Sequence, residues 1–132
     1  MTHYLTEISR IKNICYSNKS QIDRVVGTRH FIIHNFEKEL NLNLLSRVRF
    51  TSKFHLLRLY KLYYGQTPKQ YLIEKRLEAA KQLLSKGLSI TDTCYDIGFE
   101  SPCSFSTLFK ARFGLSPKEY QKKATFTKSN HS

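Results

Sequence analysis

The 132-residue sequence lacks the features that mark several classes of protein. It has three cysteines, Cys15, Cys94 and Cys103, and no C-x-x-C pair, which argues against a disulfide framework or a zinc knuckle and predicts reduced thiols. No stretch approaches the roughly 20 apolar residues of a membrane-spanning helix. The first residues mix charges among their apolar positions, unlike a signal peptide. We therefore expect a cytoplasmic protein.

Patterns of catalytic and metal-binding residues are also missing. The sequence has no Gly-rich phosphate loop, no nucleophile at a recognised spacing from a histidine, and no cluster of carboxylates. We therefore predict no enzyme activity, no catalytic residue and no cofactor. His30 and His34 have the i, i+4 spacing of two metal ligands, but no third ligand is evident, so we predict no metal site.

Acidic residues are scarce, at 10 against 22 lysines and arginines, and the formal net charge is +12. Such a charge on a small chain indicates a polyanionic partner, for which we favour double-stranded DNA over a membrane surface. No acidic residue lies between Glu39 and Glu74, or from Ser101 to Lys118. One such window would be typical of a solvated helix face, but each of these windows lies on one copy of a repeat.

The repeat has an offset of 49 residues, with Phe50 paired with Phe99. Residues 49–71, RFTSKFHLLRLYKLYYGQTPKQY, are echoed by residues 98–120, GFESPCSFSTLFKARFGLSPKEY. The identical pairs are Ser52/Ser101, Leu59/Leu108, Lys61/Lys110, Gly65/Gly114, Pro68/Pro117, Lys69/Lys118 and Tyr71/Tyr120. In both copies the apolar positions are spaced three and four apart, which predicts an amphipathic helix.

Helix boundaries follow from capping residues. Each of the three prolines comes after a hydroxyl residue that can cap a helix start, at Thr67-Pro68, Ser101-Pro102 and Ser116-Pro117. Glycines suited to helix ends stand at Gly65, Gly87, Gly98 and Gly114. The sequence thus predicts an all-α fold with no strand. Its seven helices run over about Ile22 to Glu39, Leu42 to Arg49, Thr51 to Tyr64, Pro68 to Lys86, Thr91 to Ile97, Pro102 to Phe113 and Pro117 to Lys122.

Two ends of this map stay less defined. The first helix is predicted to turn Val26, Phe31, Ile32 and Phe36 inward. Before it, the apolar residues Leu5, Ile8, Ile11 and Cys15 have helical spacing, which leaves open a further helix or a docking segment. Residues 124–132 are predicted to form a flexible tail.

A short helix, a tight turn and a longer helix with a polar outer face form a helix-turn-helix, whose second helix enters the major groove of DNA. We predict two such subdomains, at residues 22–66 and 88–123, joined by a connector helix at 67–87 and preceded by an extension at 1–21. The connector spans about 28 Å, near the roughly 34 Å between adjacent major-groove segments on one face of DNA. One chain could hold both reading helices, so we expect a monomer on DNA.

The motifs resemble a known family. Residues 89–120, SITDTCYDIGFESPCSFSTLFKARFGLSPKEY, resemble the C-terminal signature of the AraC/XylS transcription regulators, and residues 52–84 resemble the family's first reading helix and connector. The resemblance covers about residues 22–121 and is closest to the short stand-alone members. It implies a tandem helix-turn-helix domain that regulates transcription, usually by activation through contact with RNA polymerase. Two departures are Arg49-Phe50, where the family usually has a turn glycine, and Thr107, where many members have arginine.

Candidate DNA contacts lie on the outer faces of the two reading helices. The predicted base-reading residues are Lys53, Phe54, Leu57, Arg58, Cys103, Ser104, Ser106 and Thr107. The predicted phosphate contacts are Arg49, Ser52, His55, Lys61, Lys69, Ser101, Lys110 and Lys118. Arg58 can bind guanine with two hydrogen bonds, so we expect more specificity from the first subdomain than from the second. Arg76, within the apolar stripe of the connector, is predicted to pair with Asp96.

Two other kinds of binder remain open at this point. One is a nonspecific nucleic-acid-coating protein, which needs positive charge but not two capped reading helices at a fixed separation. The other is a helical adaptor for a protein partner, which would be expected to expose apolar surface. A sequence-specific regulator differs from both in preferring its own site by about 10³-fold or more.

Overall fold

The computed structural model describes the backbone of residues 2–131 and the side chains of residues 19–126. This part of the chain forms seven α-helices and contains no strand, which confirms the all-helical prediction. The helices are α1 Thr2–Asn35, α2 Leu42–Val48, α3 Lys53–Tyr64, α4 Pro68–Ser85, α5 Ile90–Asp96, α6 Pro102–Phe113 and α7 Pro117–His131.

The first and last helices differ most from the prediction. α1 begins at Thr2 and therefore includes the segment predicted as an extension, and it ends at Asn35 rather than at Glu39. The side chains of Leu5, Ile8, Ile11 and Cys15 lie outside the described residues. α7 continues to His131, so its backbone is helical through most of the predicted tail. A polar helix of this kind carries no apolar periodicity from which its length could be predicted.

The helices form two compact units. The first unit comprises the chain up to residue 34 together with residues 41–69, and the second comprises residues 35–40 and the chain from residue 70 onward. Among the described side chains of the first unit, the buried apolar residues include Val25, Ile32, Leu45, Leu56, Leu59 and Tyr60. The core of the second unit is formed by Leu77, Ala80, Leu84, Cys94, Ile97, Phe99, Phe105 and Phe109.

One residue of the predicted inward face of α1, Val26, was wrong, whereas Ile32 is fully buried as predicted. Val26 is 39% exposed, whereas Val25 is 1% exposed and Thr28 is fully buried. The Thr28 hydroxyl donates a hydrogen bond to the Arg24 carbonyl at 2.7 Å, so its polar group is satisfied inside the helix. Threonine is ordinarily a surface residue, so the apolar pattern did not count Thr28 as part of the buried face. Without Thr28, the pattern selected Val26 in place of Val25.

The two reading helices, α3 and α6, have the same length and the same types of capping residues. Each has 12 residues. The Ser52 hydroxyl caps α3 by accepting from the His55 amide at 3.1 Å, and the Ser101 hydroxyl caps α6 by accepting from the Ser104 amide at 3.2 Å. Both helices end at a left-handed glycine, Gly65 or Gly114. The predicted cap of α6 and the predicted glycine stops of both helices are therefore confirmed, whereas α3 begins at Lys53 and not at the predicted Thr51.

The turn before α3 is one residue shorter than the turn before α6. In the first turn the Phe50 amide donates to the Arg47 carbonyl and the Thr51 amide to the Ser46 carbonyl. In the second turn Gly98 donates to Tyr95 and Phe99 to Cys94 in the same pattern. Phe50 therefore corresponds to Gly98, and its predicted pairing with Phe99 was wrong. The offset is 48 residues before the turn and 49 after it.

Phe50 adopts the left-handed conformation that this turn requires, with φ at 53° and a side chain that is 93% exposed. Left-handed backbone costs a residue with a Cβ about 1–2 kcal/mol, whereas glycine adopts it freely. The Phe50→Gly variant is expected to raise the free energy of unfolding by about 0.5–1 kcal/mol, after the greater chain entropy of unfolded glycine is subtracted. The measurement is the midpoint of urea unfolding at constant slope.

Phe50→Ala is the matched control, because alanine removes the exposed ring but keeps the Cβ. Its stability is expected to stay within about 0.5 kcal/mol of the parent chain. A Phe50→Gly variant that is less stable than Phe50→Ala would contradict the assignment of backbone strain to this turn.

Candidate nucleic-acid interface

The outer face of α3 is basic and aromatic. Lys53, Phe54, Arg58 and Lys61 are exposed, and the spacing of the last three places them along one side of the helix. The Phe54 ring is 71% exposed, and the Lys53 ammonium lies 5.2 Å from its centroid. Within the described part of the chain, Arg58 takes part in no ion pair. Its guanidinium therefore keeps all of its donors available for an anionic or polar ligand.

Two further α3 candidates, Leu57 and His55, are half-buried beside this face. Leu57 presents only part of its side chain, which suits a single apolar contact. The His55 amide is already used, since it donates to the Ser52 cap. Its ring stays partly exposed at the start of the helix.

The outer face of α6 is polar but nearly uncharged. Cys103, Ser104, Thr107 and Lys110 are exposed, and Ser106 is half-buried. The Thr107 hydroxyl donates to the Cys103 carbonyl at 3.0 Å, so only its acceptor lone pairs remain for an outside partner. The two reading helices thus have the same length and types of capping residues, but the outer face of α3 is basic and aromatic and that of α6 is polar.

Most of the predicted phosphate contacts lie at the surface. Lys61, Lys69, Lys110 and Lys118 are exposed lysines, and Ser52 and Ser101 stand at the N-termini of α3 and α6. The first amides of a helix carry a partial positive charge, which favours an anionic group near these two serines. The two serine oxygens accept cap hydrogen bonds, and their hydroxyl protons remain donors.

Arg49 differs from the other candidates because its guanidinium is turned into the first unit. Its Nη2 donates to the Gly27 carbonyl at 2.7 Å, and its Nε is buried without a hydrogen-bond partner. A Cβ on Gly27 would lie 2.5 Å from Arg49 Nη1, so only glycine leaves room for this contact. Gly27, inside α1, is the partner that sequence patterns did not reveal. A glycine within a long helix was the one available signal.

Arg76 has a structural role in the second unit, although its predicted partner was wrong. Its Nε donates to the Phe36 carbonyl at 2.7 Å and its Nη2 to the Lys38 carbonyl at 2.8 Å, while Asp96 is exposed. These carbonyls follow the end of α1, where backbone acceptors lack helical partners. Burial lowers the pKa of Arg76, and Glu100 and Glu37 partly oppose this effect.

Two other groups have shifted pKa values for simple reasons. The pKa of Lys75 is raised, mainly because its ammonium donates a hydrogen bond to Glu78 at 3.1 Å. Burial raises the pKa of the Cys94 thiol, which disfavours the reactive thiolate. Cys94 and Cys103 are both free cysteines, and of the two only Cys103 is exposed.

The described residues form neither a membrane span nor a metal cluster. No described helix combines the length and the apolar character that crossing a membrane requires. Among the described side chains, no three His, Cys, Asp or Glu residues come close enough to hold a metal ion.

Two capped helices of equal length, each the second helix of a helix-turn-helix, define a tandem helix-turn-helix domain. A family model, the helix-turn-helix domain HTH_18, matches residues 45–123. The chain belongs to this family of AraC/XylS-type domains.

Known proteins share both sequence and fold with the chain. It is 38% identical over 96 residues to LumQ of Photobacterium leiognathi, a probable transcriptional regulator, covering 70% of this chain. The C-terminal domain of the response regulator AraT from Geobacillus stearothermophilus has a TM-score of 0.72 at 29% identity, covering 76% of this chain and 84% of that one. The DNA-binding domain of AdpA, solved with a target DNA, shares the fold with a TM-score of 0.72 at 22% identity, covering 76% of this chain and 92% of that one.

The chain spans less than two thirds of the length of the relatives compared next. It spans 38% of LumQ and 55% and 62% of two other relatives. Some relatives are named as transcription activators.

Proposed function

We propose that the chain is a sequence-specific DNA-binding regulator of transcription, which reads one major-groove segment with α3 and the adjacent segment with α6. The duplicated 12-residue reading helix carries this proposal, because each copy has the same caps and an exposed polar face. Membership in the helix-turn-helix family supports it, as does the fold shared with the AdpA domain, whose structure contains a target DNA.

The two reading helices receive different roles. In α3, Arg58 would bind a guanine edge, Phe54 and Leu57 would touch thymine methyls, and Lys53 would add a polar contact. In α6, base contacts would come from the short side chains of Cys103, Ser104, Ser106 and Thr107. We therefore assign the larger share of sequence specificity to α3.

Phosphate contacts would position both helices on the duplex. Lys61 and Lys110 occupy the same repeat position, as do Lys69 and Lys118 and the capping residues Ser52 and Ser101. His55 would add a contact at the start of α3. Arg49 is the exception among the candidates, because its hydrogen bond to Gly27 favours a structural role.

A single chain would engage both segments. α4 has 18 residues and is therefore about 27 Å long. This length supports a monomer whose two reading helices enter successive major-groove segments. By analogy with relatives named as activators, we propose activation through contact with RNA polymerase, in the cytoplasm.

The test is a selection of bound duplexes from a random DNA pool, followed by footprinting of the selected sequence. We expect two protected major-groove segments about one helical turn apart. The selected site should bind about 10³-fold or more tightly than random duplex at about 150 mM salt. Equal affinity for both duplexes would instead indicate a nonspecific coating protein.

Replacing Arg58 by alanine is expected to weaken binding to the selected site by about 10- to 100-fold, because a bidentate contact with guanine discriminates by about 1–3 kcal/mol. Binding to random duplex should change much less, so the specificity ratio should fall. The measurement is a pair of titrations by fluorescence anisotropy, one with each duplex.

Lys61→Ala is the matched control on the same helix face. It is expected to weaken both duplexes equally and to lower the slope of log K against log salt by about 1. If Arg58→Ala behaves in this same way, Arg58 contacts phosphate and not a base. A stronger base preference under α6 than under α3 would contradict the division of roles.

A further inference from the structure

The second unit has an open groove of about 680 Å³, and none of its lining residues is among those that we propose for DNA binding. It is bordered by α4, by the last turn of α6 and by the beginning of α7, and Phe113 and Tyr120 form its aromatic part. The Phe113 and Tyr120 rings lie 4.8 Å and 5.7 Å from the ring of Phe109, which is fully buried. The aromatic wall is therefore anchored to the core and preformed.

Cations border this wall. The Lys81 ammonium lies 4.5 Å from the Phe113 centroid and 5.5 Å from that of Tyr120, so two rings hold it in place. Lys86 and Arg112 also line the groove. The side chain of Arg112 is 51% exposed, and its guanidinium is 3.7 Å from Glu74, at the long end of an ion pair.

The acidic residue on the groove lining, Glu78, forms no ion pair with these cations. Glu78 is paired with Lys75 at 3.1 Å, outside the groove lining. Among the described residues, no carboxylate forms an ion pair with Lys81 or Lys86. The groove therefore combines an apolar wall with two ammonium groups that lack a protein counter-ion.

On α6, the groove residue Arg112 lies on a different side of the helix from Cys103 and Thr107. Arg112 comes nine residues after Cys103 and five after Thr107. At about 100° per residue, these separations place Arg112 about 180° and 140° around the helix from those two side chains. A duplex bound to the Cys103 and Thr107 face would leave Arg112 accessible.

We propose that this groove docks an acidic peptide segment of a protein partner, with one aliphatic or aromatic side chain against Phe113 and Tyr120 and carboxylates on Lys81, Lys86 and Arg112. The charge of the groove calls for an anionic partner, and its apolar wall calls for an anchor side chain. Its openness suits an extended segment better than a small ligand, which a pocket usually encloses.

The test uses the whole chain and a fluorescein-labelled peptide of about twelve residues, rich in Asp and Glu around a central Leu-Phe pair. Binding is measured by anisotropy at about 150 mM salt, and the contacted residues are located from amide shifts in nuclear magnetic resonance spectra. We expect saturable binding with the largest shifts around Lys81, Phe113 and Tyr120. The same peptide with Gly-Gly in place of Leu-Phe should bind about tenfold more weakly, which corresponds to about 1.4 kcal/mol.

Two charge-reversal variants separate the groove from the general positive charge of the protein. Lys81→Glu is expected to weaken peptide binding by about tenfold or more. Lys110→Glu makes the same charge change on the reading face of α6 and should weaken it by less than about threefold.

Three outcomes would overturn the proposal. They are absence of saturable peptide binding, equal losses in the two charge-reversal variants, and random duplex DNA shifting the groove amides more than those of α3 and α6. The proposal does not depend on DNA recognition, because neither the peptide titration nor its variants include DNA. Failure of the DNA selection would leave this test intact.

Discussion

Replacing Gly98 by alanine is expected to lower the free energy of unfolding of the second unit by about 3 kcal/mol. Gly98 has φ at +95°, which costs a residue with a Cβ about 1–2 kcal/mol. A Cβ at this position would also lie 2.9 Å from the Glu37 carbonyl oxygen and 3.0 Å from Arg76 Nη2. Relief of this overlap requires movement of backbone or of a guanidinium that makes two hydrogen bonds.

Gly114→Ala provides the matched control in the same unit. Gly114 has φ at +80° but no atom within 4 Å of an added Cβ, so only the backbone term of about 1–2 kcal/mol is expected. The difference between the two variants in urea unfolding isolates the close approach to Glu37 and Arg76. Equal destabilisation by both substitutions would show that this approach contributes nothing to stability.

Insertion of half a helical turn, about 5 base pairs, between the two half-sites of the selected DNA is expected to lower affinity by about 10²-fold or more. The insertion moves the second half-site to the opposite face of the duplex. If α4 acts as a stiff connector, only one reading helix can then bind at a time. The contribution of linked binding is lost although no protein contact has been altered.

A duplex with the α3 half-site alone is the reference for this experiment. Its affinity and that of the spaced site are expected to agree within about threefold, and the footprint should shrink to one groove segment. Retention of full affinity with both grooves protected would contradict a stiff connector. It would leave specific DNA binding itself unaffected, since that is tested by the selection.

The reading helices could be predicted closely because their determinants are local. Both begin after a serine whose hydroxyl caps the helix and both end at a glycine, and these residue types are recognisable from the amino-acid sequence alone. The end of α6 at Phe113 and of α3 at Tyr64 agree with the prediction. The positions of the base-reading candidates on the two helices follow from helical periodicity alone.

Features that depend on contacts between residues distant in the chain could not be predicted from the sequence. The hydrogen bond of Arg49 to Gly27 joins residues 22 positions apart, and the bonds of Arg76 to Phe36 and Lys38 join residues 40 and 38 positions apart. The residue type of the acceptor does not identify it as the partner, because a backbone carbonyl is present at every position. Opposite charge suggested an ion pair between Arg76 and Asp96, but Arg76 instead donates hydrogen bonds to backbone carbonyls that follow the end of α1.

The sequence by itself determined the all-helical class, the duplication, the excess of positive charge, the cap of α6 and the glycines that end both reading helices, since each depends on nearby residue types or on composition. Only the tertiary structure decided that Phe50 occupies the turn position equivalent to Gly98, which of two valines is buried in α1, and how Lys81 is held against Phe113 and Tyr120. These features arise from packing, in which residues far apart in the chain compete for the same space. Local patterns do not encode the outcome of that competition.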